Sequence, residues 1–257
     1  MNILFLGDVF GSTGREIVAE NLRDLKKEYQ IDFTVANGEN AAHGKGLSMK
    51  AADELYEAGV DFITMGNHTW NNSNIMHFIE DYPIVRPANF HPDLPGRGYD
   101  IRDTAEGKIG ILNLQGRVYM DPADNPFDCA LRLAEKMREE TPVIIVDFHA
   151  EATSEKIALA TVLDGKVSAV IGTHTHVQTA DERILPKGTG FITDAGMCGP
   201  SDSIIGMSAA RVTEKFIYNT PQRFEPARGS GQLNGVVLQI DRQTGKTTRI
   251  ERVLRKP

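Results

Sequence analysis

Cysteine is nearly missing from this chain: Cys129 and Cys198 are the only two in 257 residues, and their separation matches no cysteine metal site. A reducing, cytoplasmic setting fits that usage. Long apolar runs are missing too. No stretch approaches the ~18 residues a membrane-spanning helix needs, and the apolar run before Asp8 is too short, with no basic lead-in, to be a signal peptide. Positive charge is scarce: 28 Lys and Arg against 35 Asp and Glu leave a net charge of −7. Such a surface does not attract long nucleic acids or anionic membranes, whose binding runs through dense Lys and Arg. Phosphate chemistry is thereby confined to a small substrate or a locally positive pocket. Internal repeats, low-complexity tracts and sharp composition breaks are absent as well, so residues 1–257 read as one domain.

What is present is an alternation of short apolar runs and helix-like patterns. The strand candidates are Asn2–Gly7, Asp32–Ala36, Asp61–Met65, Ile109–Leu114, Val143–Phe148 and Ser168–Gly172. Val18, Leu22, Leu25 and Tyr29 mark one face of a first helix, which Thr13-x-x-Glu16 could open as a capping box. Further helices are expected from Ser48, after Asn71, over Phe127–Glu139 and over Ala152–Leu163. The tail differs: Phe191–Thr193, Gly235–Ile240 and Lys246–Val253 read as strands, and Gly199–Ile205 and Asn219–Gly235 as long loops. The pattern predicts an α/β fold on a largely parallel sheet.

The strand ends carry the chemistry. Gly7-Asp8 follows the first strand, Asn37-Gly38-Glu39-Asn40 the second and Gly66-Asn67-His68 the third; His149 and then Gly172-Thr173-His174-Thr175-His176 end two later strands. Ligands of open α/β sheets bind outside the carboxyl ends of the strands, so these groups should converge on one edge of one sheet. Singly each has a bland explanation: Asp8 as a helix cap, Asn67 bonded to its own backbone, His149 as a core histidine. Together they make an oxygen- and nitrogen-rich set suited to Mn, Fe or Zn. It is too large for one tetrahedral ion, so two metals fit better. Residues i and i+2 of an extended segment face the same way, so His174 and His176 can each reach one ion. Two divalent ions, offset by the carboxylates of Asp8 and Glu39 and by a bridging hydroxide, would leave a positive centre inside an acidic protein, ready for a phosphate.

Gly7-Asp8, Gly66-Asn67-His68, His149 and Gly172-Thr173-His174-Thr175-His176 resemble the metal-site motifs of the calcineurin-like metallophosphoesterases. Two departures narrow the resemblance. The superfamily's Asp-x-His is here Asp8-Val9-Phe10, and its bridging aspartate is replaced within Asn37-Gly38-Glu39-Asn40. With Asp194-Ala195-Gly196-Met197-Cys198-Gly199-Pro200, these are similar to the bacterial YmdB-like branch over nearly the whole chain. The resemblance implies a single metallophosphoesterase domain built as a four-layer α/β/β/α sandwich. It also implies that Asp8, Glu39, Asn40 and His176 hold one metal, and Glu39, Asn67, His149 and His174 the other, with Glu39 bridging. His68 is left as general acid. The implied cofactors are two divalent or mixed-valence ions, Fe or Mn first and Zn or Mg next. The implied reaction is hydrolysis of 2′,3′-cyclic nucleotides, with 3′,5′-cyclic AMP a second substrate, by a metal-bridging hydroxide. The residues themselves specify only a small phosphate ester.

Other features weigh less. His43 and Lys45 sit in a flexible loop beyond Glu39-Asn40, where they could meet a phosphate or only solvent. Arg211, Arg223 and Arg228 could serve a phosphate or a dimer contact; a homo-oligomer is open to a protein of this kind. Trp70 reads as core, and His77 and His91 as structural or exposed. The glycines at 7, 11 and 14 miss the dinucleotide fingerprint, and Gly38…Gly44-Lys45-Gly46 misses the P-loop. The alternative from another class is a regulatory protein that binds metal or cyclic nucleotide and signals through a partner without turnover.

Overall fold

The computed structural model describes residues 1–256. Its first half runs β1 (Asn2–Leu6), β2 (Asp8–Val9), α1 (Gly11–Glu28), β3 (Phe33–Asn37), α2 (Met49–Ala58), β4 (Phe62–Thr64), a 3-10 turn over Ser73–His77, β5 (Ile84–Val85), and the hairpin β6 (Tyr99–Thr104) and β7 (Gly107–Gln115). There follow α3 (Pro126–Arg138), β8 (Ile144–His149), α4 (Thr153–Leu163), β9 (Ala169–Thr173), β10 (Arg183–Ile184), β11 (Gly190–Ile192), β12 (Met197–Pro200), α5 (Ala209–Tyr218), β13 (Gly231–Ile240) and β14 (Thr247–Arg255).

The strands form two sheets. One has the order β2-β12-β13-β1-β3-β4-β5, with β14 paired to β13; the other has the order β10-β11-β9-β8-β7-β6. Parallel pairing is confined to β1/β3/β4/β5 and β12/β2 in the first sheet and to β7/β8/β9/β11 in the second. The hairpins β6/β7 and β13/β14, and the insertion of β13 antiparallel to β1, make both sheets mixed rather than largely parallel.

Period-2 alternation explains how the sheets are covered. In β1, Ile3 and Phe5 face a core shared with the second sheet, where Ile111, Ile145 and Ile171 lie, while Leu4 and Leu6 face a separate core with Val18, Leu22 and Leu55 of α1 and α2. In β8, Ile145 joins the shared core, whereas Ile144, Val146 and Phe148 pack with Leu133 of α3 and Leu159 of α4. Strands buried on both faces read as unbroken apolar runs, which is why the sequence betrays them.

Several local expectations are corrected. The helix expected after Asn71 is only the 3-10 turn, capped by Asn72 through the Asn74 amide. Helix α1 starts two residues before Thr13, from Phe10 without a side-chain cap, so no capping box forms. The loop read over Asn219–Gly235 ends early because β13 begins at Gly231, and Ala209–Tyr218 is helical although its apolar residues Phe216, Ile217 and Tyr218 are exposed. Among the described residues, no helix is long and apolar enough to cross a membrane.

Candidate metal centre

All eight residues singled out at the strand ends lie close together, but they come from two sheets rather than one. Asp8, which opens β2, and Glu39, Asn40, Asn67 and His68 lie beyond β1, β3 and β4 of the first sheet; His149 ends β8 of the second, and His174 and His176 follow β9. The sheets are tied beneath the site by buried polar groups. Asp147 of β8 accepts from Thr64 Oγ1 at 2.5 Å and Asn37 Nδ2 at 3.0 Å across the sheet boundary, and from Thr173 Oγ1 at 2.6 Å within its own sheet.

Ligand atoms of Glu39, His149 and His174 all fall within 4.8 Å of one another. Glu39 Oε1 is 3.1 Å from His149 Nε2 and 3.2 Å from His68 Nδ1. Asn67 Oδ1 lies 2.9 Å, and His174 Nδ1 3.0 Å, from the same His149 Nε2. Alongside, Asp8 Oδ1 is 3.6 Å from His176 Nε2 and 3.3 Å from Asn40 Nδ2. Gly66 makes this crowding possible: a Cβ there would stand 2.4 Å from Glu39 Oε2 and from the His149 ring. Asp8, Glu39 and His149 are fully buried.

Charge is balanced inside the cluster. Burial by itself would raise both carboxylates, yet the His176 imidazole brings Asp8 below the usual carboxylate range, and His149 and His68 hold Glu39 well below it. Burial opposes a charged His149, but Glu39 and Asp8 carry it up to about 9. Burial, followed by the neighbouring His149, pushes His174 down to about 3. Ionised carboxylates, converging imidazoles and amides with little solvent form a donor set that fits a hard or borderline cation, which would take the place of the His149 proton. Asn40 is the exception: it turns its amide nitrogen toward Asp8 and His176 and its oxygen toward His68 Nδ1, 2.7 Å away. A cation beside Asp8 calls for the oxygen there, a half-turn of an amide whose two ends have the same shape.

The two histidines after β9 reach the cluster by a route other than an extended segment. His174 has φ 102° and His176 φ 66°, both in the region that side chains rarely occupy. Side-chain acceptors hold the turn: His174 N–H donates to Asp8 Oδ2 and Thr175 N–H to Asp194 Oδ2, each at 3.1 Å. The imidazoles are oriented from behind. His176 Nδ1 meets the Ile205 carbonyl at 2.9 Å, leaving Nε2 toward Asp8. Thr173 Oγ1 donates to Asp147 and so accepts from His149 Nδ1, at 2.9 Å, which leaves Nε2 to the cluster.

These supporting residues, Asp147, Thr173, Asp194 and Lys156, were not found as site residues from the sequence. Asp147 gave no signal because it lies inside an apolar strand, and Thr173 and Asp194 stood within the quoted motifs without a role of their own. Lys156 Nζ, 1% exposed on α4, donates to Asp194 Oδ2 at 2.7 Å, and this pair backs the Thr175 contact. Replacing Asp194 by Asn leaves a buried ammonium without its partner. The variant should unfold with a stability about 3–5 kcal/mol lower in urea titrations; an unchanged midpoint would show that the pair does not hold the turn.

The remaining candidates fall outside the cluster. Lys45 lines the cavity above it, whereas Arg211 pairs with Glu214. Cys198 is a buried thiol, pushed up to about 12 by burial, whose S–H donates to the Asn234 carbonyl. Trp70 packs against the α1/α2 core and borders a second cleft; His77 and His91 are exposed.

A family model described as "YmdB-like protein" matches residues 4–253. The 2′,3′-cyclic-nucleotide 2′-phosphodiesterase of Bacillus subtilis (strain 168) is 52% identical over 255 residues, covering 99% of this chain and 97% of that one. Two crystal structures superpose with a TM-score of 0.94 at 41% identity over all of this chain. One is a hypothetical protein from Thermus thermophilus, 99% covered, and the other a novel phosphatase from Mycoplasma pneumoniae, 93% covered.

Proposed function

This chain belongs to the YmdB-like protein family and is a hydrolase, and from that premise we propose that it cleaves small phosphodiesters, 2′,3′-cyclic nucleotides foremost, at a centre of two metal ions. The observation that carries the reading is the convergence of two carboxylates, two amides and three imidazoles from two sheets around Glu39. Asp8, Glu39, Asn40 and His176 would hold one ion and Glu39, Asn67, His149 and His174 the other, Glu39 serving both. Iron or manganese suits a set of carboxylate, amide and imidazole donors without thiolate. Two such ions supply activation of the attacking water and stabilisation of the phosphoryl oxygens.

The protein's own part is positioning and one proton. Asp147 through Thr173, and the Ile205 carbonyl, fix the tautomers of His149 and His176 before substrate arrives. His68 Nδ1 faces Glu39 Oε1 at 3.2 Å, so among the described residues Nε2 is its one ring nitrogen without a partner, on a residue that lines the cavity. When His68 carries both protons, the one at Nε2 is free to pass to the departing ribose 2′ oxygen as water adds to phosphorus, and a nucleoside 3′-phosphate is released. The three apolar layers described above support reading the fold as the four-layer α/β/β/α sandwich of the metallophosphoesterases, in one domain. A reducing, cytoplasmic setting agrees with two buried, unbridged cysteines.

Protein stripped of metal should be inert, and Mn²⁺ or Fe²⁺ should restore cleavage of bis(p-nitrophenyl) phosphate well above p-nitrophenyl phosphate. Faster turnover of 2′,3′-cyclic AMP than of 3′,5′-cyclic AMP should follow. Two bound metals with neither aryl ester cleaved would overturn the reading.

A further inference from the structure

The polar cluster is the floor of a cavity of about 480 Å³, a size typical of small-ligand sites. Its wall is of opposite character. Phe10, Ile205, Met207, Val212, Phe216 and Phe224 line it, with Lys45 and Lys215 as its cations. The wall is built rather than incidental. Phe10 stands where an Asp-x-His run would place an imidazole, and its ring lies edge-on to His176, centroids 5.6 Å apart. Gly44 and Gly206 press on that ring from the two loops beside it: a Cβ at either would come within 2.7 Å of ring carbons, and both hold positive φ, 84° and 96°. On α5, Val212 and Phe216 are four residues apart and therefore share a face; both border the cavity. Lys215 Nζ lies 5.2 Å from the Phe224 ring centroid, a cation–π contact that keeps both at the rim. Yet Phe216 is 81% exposed and Ile205 52%. Large apolar groups left open beside a buried ligand set call for a flat apolar occupant attached to whatever the floor holds.

We infer that this wall is the subsite for the nucleobase of the phosphodiester, with Phe216 and Phe224 as the residues that set preference for aromatic substituents. The inference rests on the function proposed above and extends it from the phosphate to the group the phosphate carries. A phosphate at the floor would place its ribose toward the wall, where Phe216 and Phe224 line the cavity beside the base. Two ammonium groups, Lys45 and Lys215, stand against the one carboxylate of Glu151 around this wall, a balance that suits a negative diester.

The test compares 2′,3′-cyclic AMP with methyl riboside 2,3-cyclic phosphate, which keeps the sugar and the cyclic diester but has no base. The metal-loaded wild type should favour the nucleotide in kcat/KM. Phe216→Ala and Phe224→Ala should lower that ratio by about 10-fold through KM, as expected for losing one base–aromatic stack. Because Phe216 is exposed, its truncation leaves the core intact. Calorimetric titration with adenosine 3′-phosphate should show the same roughly 10-fold weakening. If the wild type turns over neither substrate, the proposed function fails, and the titration alone still decides the subsite. A ratio and an affinity that both stay at wild-type values would overturn the inference, as would variants that alter only the oligomeric mass, since the wall would then be an interface between copies.

Discussion

Replacing Glu39 by Gln should abolish phosphodiester cleavage and strip metal from both positions at once. The carboxylate is wholly buried, and its two oxygens are shared among His149 Nε2, His68 Nδ1 and the His68 backbone N–H, the last at 2.8 Å. An amide keeps the shape but supplies one neutral oxygen and an NH₂ that points at groups already donating. Loss of one charge from a buried, water-poor cluster weakens any cation there far more than the same change on the surface. Turnover should fall by more than about 10²-fold, the scale on which misplaced reacting groups lose rate. Elemental analysis decides the role of the residue: depletion of both metals fits a shared ligand, and depletion of one alone removes the bridging assignment.

His68→Ala should give the opposite dissociation of effects. Both metals stay, and kcat falls by about 10²–10⁴-fold, the range expected for a lost general acid. The reason is positional. His68 has a quarter of its side chain exposed at the cavity, unlike the buried His149; its ring meets the cluster through one nitrogen, Nδ1, and its backbone N–H donates to Glu39 Oε2. The deficit should shrink on bis(p-nitrophenyl) phosphate, whose leaving group needs no proton, and stay large on a cyclic nucleotide, whose alkoxide does. Equal deficits on both substrates, or loss of metal, would remove the acid role and make His68 a ligand or a support for Asn40.

Much of this site was legible in the sequence because strand ends are. An apolar run of five or six residues followed by Gly-Asp, Gly-Asn-His or Thr-His-Thr-His states both where a strand stops and what stands there. The supporting residues were not legible for the converse reason. Asp147 lies between Val146 and Phe148 and Lys156 within a helical pattern, and nothing in either neighbourhood tells that the polar group is buried against Asn37 or Asp194. Helix α5 is not among the helices expected from the sequence although Val212 and Phe216 stand at helical spacing; Phe216, Ile217 and Tyr218 turn toward the cavity and solvent instead of a core.

The residue order by itself determined the α/β alternation, the positions of the polar turns after the strands and the identity of the groups they carry, since these follow from local periodicity and side-chain chemistry. Tertiary structure decided the rest. Pairing of β13 beside β1, closure of two sheets on one apolar core, and the choice of Asp147, Asp194 and Ile205 as the groups that orient the histidines all depend on segments far apart in the chain. A left-handed turn at His174 and His176 belongs with them. Its backbone is unfavourable locally and persists because Asp8 and Asp194, 166 and 19 residues away from the amides they accept from, hold it in place.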